Sequence, residues 1–245
     1  MRAVTRHPSR VGSVRAITRS LMPFPRIHEE TASIALAGKF NPAIFQPAWL
    51  AAKGLLRESE ASAATIEVIH PEVSQFRVEW LHLSVTRERF TATTSDPSHR
   101  APLRDLVAGI FDLLDQTPTT VLGLSRAVHV DLPDEATWHA LGHFVAPKEP
   151  WGDVLTKPGL RSLLMQGTRD DGLPGRMFFR VEPSLRYTHA AFLDSISEYA
   201  ADPVRTSDVT SYFMERLAAD WDRVAQEALA SMEKLLGKLS LKGDK

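Results

Sequence analysis

Two imidazoles and a carboxylate are the side chains in this sequence best spaced for shared chemistry. His129 and Asp131 stand two apart in the run Val121-Leu122-Gly123-Leu124-Ser125-Arg126-Ala127-Val128-His129-Val130-Asp131-Leu132, and side chains two apart on a strand point the same way. With His189 farther along the chain, they would complete the facial set of two histidines and one carboxylate that holds non-haem iron. The competing reading is a His–Asp pair on the polar face of a strand. His139 and His143 have the i, i+4 spacing that puts two imidazoles on one helix face, as zinc sites need. The glutamate of the zinc-protease motif is missing, however, and Gly142 suits a helix end better than an interior. Ordinary surface histidines are therefore expected there. Ser125 lies one residue short of a nucleophile-elbow pattern and inside a strand, not on a strand-to-helix turn. No Walker-type or dinucleotide-binding glycine loop is present.

A second group of residues suits recognition better than catalysis. Arg176, Arg180 and Arg186 could present positive charge from one strand and the loop after it. Trp151 sits in the Pro-bounded loop Pro147-Lys148-Glu149-Pro150-Trp151-Gly152-Asp153, where it either anchors a partner or packs onto the sheet.

Composition narrows the classes. With 43% hydrophobic and 24% charged residues over a length of 245, the chain has the make-up of a soluble globular protein with a sizeable core. The absence of cysteine excludes disulfides and thiolate metal sites, so any metal would need His, Asp or Glu. No window approaches the roughly 18 apolar residues of a membrane span, so no membrane role is expected. A net charge of -1 argues against a protein built around phosphate contacts. That balance conceals an asymmetry, since Arg2, Arg6, Arg10, Arg15 and Arg19 have no acidic residue among them and the remainder is acidic. Residues 1–23 therefore read as a basic leader: an organelle transit peptide, a nucleic-acid-binding arm, or an upstream extension with Met22 as the true start, the last being favoured.

These residues must be positioned by an α+β architecture. A strand is expected over residues 33–40, closed by Asn41-Pro42, then a helix over 43–56 with its prolines confined to the start. Residues 65–70 form a second strand stopped by Pro71. Residues 75–85 read as one strand whose apolar phase shifts by one residue, which predicts a bulge near Trp80. Thr86 to Arg89 turn into a strand at 90–93, and Asp96-Pro97-Ser98 caps a helix carrying Leu103, Val107, Ile110 and Leu114. From Thr119 the order repeats, with the long strand, a helix over 135–141 ended by Gly142, strands at 160–167, 176–182 and 187–193, and an amphipathic helix over 207–236 after a polar link through Pro203. The expectation is an antiparallel sheet, either two sheets or one continuous one, with helices on one side and a long C-terminal helix. Its two pseudo-repeated strand–helix–three strands–helix halves span residues 24–118 and 119–240 of one compact unit.

The run from Leu122 to His129, the strand from Phe178 to Ser184 and the terminal helix from Phe213 to Leu236 together resemble a sporadically distributed bacterial family of conserved hypothetical proteins. The likeness covers roughly residues 24–237 and implies a bacterial, cytosolic protein, carrying over no functional residue. On these readings the expected function is a non-enzymatic binding or accessory protein that recognises a protein partner through its sheet face or loops and needs no cofactor. The alternative is an enzyme with a divalent metal on His129, Asp131 and His189. Nucleic-acid binding through the arginines is a weaker alternative.

Overall fold

Strand structure begins earlier than the apolar pattern suggests. In the computed structural model, which describes residues 25–201 and 208–240, strand β1 runs Ile27–Gly38 and so includes the polar stretch before Ser33. The basic leader with Met22, and the link through Pro203, lie outside the described residues. A short 3-10 turn (Pro42–Ile44) and the small helix α1 (Pro47–Ala52) replace the single helix expected over 43–56, and a further small helix, α2 (Glu58–Ser62), follows it. Four strands follow: β2 (Thr65–His70), β3 (Val73–Val78), β4 (Leu81–Thr86) and β5 (Arg89–Thr94). After α3 (Arg100–Leu113) come β6 (Thr119–Asp131), α4 (Glu135–Val145), β7 (Leu163–Thr168), β8 (Gly175–Pro183), β9 (Ala190–Ala200) and α5 (Val209–Ser240).

All nine strands join one antiparallel sheet in the order β2-β3-β4-β5-β1-β6-β9-β8-β7, so the continuous-sheet alternative holds. The expected bulge near Trp80 is instead a hairpin turn. Phe76 pairs with Leu83 and Val78 with Leu81 across it, which puts both apolar rows on the same face. A two-residue turn and a bulge shift apolar phase alike in sequence, and here the chain reverses. The first half thus has four strands after its helices where three were expected. Helix α4 also continues through Gly142 to Val145.

Helices cover one face of the sheet. Leu122, Leu124, Val128 and Val130 of β6 are buried on that side, as the alternation predicts. Two apolar clusters lie beneath the helices. One gathers Ile34, Leu36, Phe76, Phe90, Ile110 and Phe213 with their neighbours, and the other gathers Val128, Leu193, Val181, Leu141 and Met232. Helix α5 carries Phe213, Leu217, Trp221 and Val224 into the first and Met232 and Leu236 into the second. At 1.5 Å per residue its 32 residues reach about 48 Å.

Where the clusters meet, the covered face holds charge. Arg126 shares the apolar face of β6, its partner across the ladder being Ala32 of β1. Its guanidinium donates to Glu30 Oε2 at 2.7 Å and to the Ala225 carbonyl of α5 at 2.9 Å. The side chains of Arg126 and Glu30 are only 11% and 12% exposed. Arg100 of α3 lies 3.6 Å from Glu30 and stacks over Trp221. Removing one member of such a pair strands a buried charge, whereas replacing both with apolar groups is often neutral. Arg126→Met should therefore lose roughly 3–5 kcal/mol of unfolding free energy in urea denaturation. Adding Glu30→Leu should return part of that loss, and an Arg126→Met chain as stable as the native one would refute the assignment.

Candidate functional site

The face without helices is polar, and its side chains pair with one another across strands. Ser33 Oγ lies 3.0 Å from Thr93 Oγ1, Gln75 meets His82 at 3.0 Å, and Ser125 donates to Asp194 Oδ1 at 2.7 Å. Asp194 is nonetheless only 7% exposed, and this burial pushes its carboxyl up from the ordinary value against the opposing pull of Ser125 and Arg180.

At the end of this face, where β1 begins and β6 ends, aromatic and titratable side chains collect. Between Ile27 and Glu29 the register of β1 slips by one residue against β6, and a bulge of this kind re-aims the extra side chain. That residue is His28, whose Nε2 donates to Asp131 and whose ring stacks on Tyr187 at 4.3 Å. Glu29 receives Arg186 and, at 3.4 Å, the Tyr187 hydroxyl. His129 lies between Tyr187 and Phe192, at ring distances of 5.5 and 5.0 Å, with Nδ1 2.9 Å from Ser184 Oγ. That oxygen already accepts from the amides of Arg186 and Tyr187, so its own proton is the one free to point at the ring nitrogen. Ser184 therefore closes the β8–β9 turn, and the backbone donors draw on the lone pairs a nucleophile would need.

The proposed metal set does not assemble. Asp131 is taken by His28 and His129 by Ser184, while His189 adopts a left-handed conformation (φ 50) that brings its ring beside Trp138 of α4, on the helical side. Shared facing on β6 placed His129 and Asp131 correctly, but the backbone turn at His189 sends the third ligand elsewhere. Among the described residues no three His, Asp or Glu side chains form a set that could hold an ion.

The arginines come closer together than the metal ligands, but each has an acidic neighbour. Arg180 lies 4.0 Å from Glu182 and opposite Asp194, Arg176 stands opposite Glu198 and donates to Gln166 at 3.3 Å, and Arg186 is paired with Glu29. Trp151 is only half covered. It is 49% exposed in the 3-10 turn Glu149–Trp151, and Val154 and Leu155 just after it are 69% and 52% exposed.

The two edges of the sheet differ. Edge strand β2 carries a register shift between Ile66 and Val68, the charged Glu67 bound to Arg77 at 2.5 Å, and His70. Edge strand β7, Leu-Leu-Met-Gln-Gly-Thr, is paired only with β8, in unbroken register, and has no charged residue or proline. Leu164 and Met165 are 52% and 58% exposed. A straight, uncharged apolar edge is what most sheets avoid, because its free N–H and C=O groups template another strand. Sequence pattern found the β7 segment but not that it would lie at an edge, which depends on long-range pairing. No family model matches the chain, and no curated protein matches it either.

Burial lowers the pKa of His129 from its ordinary value, with Glu29 opposing the shift and Arg186 and His28 adding to it. In the window below the unfolded value of about 6.5 the unfolded chain then binds more protons than the folded one. His129 should contribute fully above that pH and progressively less as pH falls below it. Denaturation between about pH 7 and pH 5 should show stability falling with pH, and His129→Gln should flatten that slope. An unchanged slope would mean that His129 is not the group responsible.

Proposed function

We propose that this chain is a non-enzymatic binding protein that takes an extended segment of a protein partner as a tenth strand along β7. The observation that carries this reading is the asymmetry of the edges: both expose aliphatic side chains, but β2 has a shifted register and a charged Glu67, while β7 pairs in unbroken register and has no charged residue. In strand addition the backbone hydrogen bonds supply affinity, and alternate side chains supply specificity. Leu164 lies on the polar face opposite Arg180, and Met165 on the helical face opposite Phe179. A partner strand with apolar residues beside Leu164 and Met165 would suit both sides. Trp151, Val154 and Leu155, in the segment leading to β7, offer aromatic and aliphatic anchors of the kind that dominate interface energetics. The absence of cysteine suits a reducing cytosol, and among the described residues no helix is long and apolar enough to cross a membrane.

A nucleic-acid partner finds less support, because the carboxylates beside Arg176, Arg180 and Arg186 offset the positive potential that phosphate binding draws on.

The test substitutes Leu164 and Met165 together by Lys. Both are more than half exposed, so stability should change by no more than about 0.5 kcal/mol per site, while lysine on an edge discourages strand pairing. Proteins captured from the native host by the full chain, checked first among neighbouring gene products, should bind the double variant at least about tenfold more weakly, a loss of about 1.4 kcal/mol. Undiminished binding by the variant, or turnover of a small molecule with no protein captured, would overturn the reading.

A further inference from the structure

On the helical side, away from the polar face, a cavity of about 370 Å³ opens between α4, residues 157–160 and the adjoining ends of β8 and β9. Its size is at the lower end of the roughly 300–1,000 Å³ typical of small-molecule sites. The inner wall is apolar, for Leu141, Val181 and Ala191 are 3%, 2% and 1% exposed and belong to the second core cluster. Trp138 and Leu160 extend that wall.

Four nitrogen-bearing side chains also line the cavity: the exposed His139 and His143 from α4, with Lys148 and Lys157 from the following segment, and His139 lies 3.6 Å from the Glu135 carboxylate. Lys157 is exposed at the rim, with its backbone in the left-handed region (φ 53), and Lys148 is half-buried. Lys148 makes a long 3.4 Å bond to the Gly142 carbonyl. Among the described residues neither lysine is within ion-pairing distance of a carboxylate. The cavity's single acid, Glu182, accepts from Ser162 at 2.7 Å and lies 4.0 Å from Arg180. An apolar pocket with two unneutralised ammonium groups favours a ligand with the complementary division: an apolar body that displaces water from the wall and one anionic head between the lysines.

We infer that this cavity binds a small amphipathic organic anion, a carboxylate on a short aliphatic or aromatic body. This site is separate from the strand-addition edge, and neither reading requires the other.

Calorimetric titration of the full chain with octanoate, octan-1-ol and octylamine tests the inference. Octanoate should bind saturably, one per chain, at least about tenfold more tightly than octan-1-ol, with octylamine weaker still. Lys148→Ala with Lys157→Ala should weaken octanoate at least about tenfold and leave octan-1-ol unchanged, while the two Lys→Arg substitutions should retain most of the octanoate affinity. Changing Leu164 and Met165 to Lys should not alter octanoate binding, which separates failure here from failure of strand addition. Absence of saturable octanoate binding into the millimolar range, equal affinity for octanoate and octan-1-ol, or an unaffected alanine double variant would each overturn the inference.

Discussion

The pairing of β1 with β6 is the contact on which the rest of the structure depends. It runs from Ile27 opposite Val130 to Gly38 opposite Thr119, joining the first four strands of the meander, which hang from β1, to the three that hang from β6. Without it each set would expose another long edge and half of an apolar face. The same ladder places Ala32 opposite Arg126, so the buried ion pair with Glu30 lies on the seam. Arg126 then reaches the Ala225 carbonyl and ties α5 across both apolar clusters. Burial alone would let that amphipathic helix slide along the sheet, whereas a directional bond from a buried guanidinium sets where it sits.

A sheet with helices on only one side leaves a face and two edges to water, and this chain treats each differently. Hydroxyl, amide and carboxylate pairs across strands satisfy the open face. At one end a bulge at His28 adds an aromatic and ionic knot that joins the start of β1 to the β8–β9 turn. The β2 edge is protected by an irregular register and charge. The β7 edge has neither protection, and the cation-lined cavity opens beside the neighbouring strand β8. The two features on which the binding proposals rest thus lie in the second half of the chain, around β7, β8 and α4.

Much of the fold was legible wherever one face of a strand or helix is apolar. The alternation in β6 and the stripe of α5 identified the central strand and the long helix, with ends displaced by only a few residues. Legibility failed where polar residues are structural. β1 begins with His28, Glu29 and Glu30, and β9 continues through Asp194, Ser195, Ser197 and Glu198; both are central strands whose ladders hold them regardless of side-chain polarity. Arg126 was a readable signal that passed unused, since its parity along β6 puts it among Leu124 and Val128 on the buried face. The site was less legible still. His129 and Asp131 do share a face, but their partners, Ser184 and His28, lie 55 and 103 residues away, and no local spacing reports such pairs. The open edge at β7 likewise emerges only once the strand order is known.

Residue-resolved native-state hydrogen exchange on the free chain tests most directly that one seam unites the sheet and leaves β7 open. Amides in the β1–β6 ladder should exchange only through global unfolding, with one common and highest opening free energy beneath both apolar clusters, and the two edge strands β7 and β2 should be the least protected. Two separate opening energies on the two sides of the seam, or β7 amides as protected as those of β8 and β9, would contradict it.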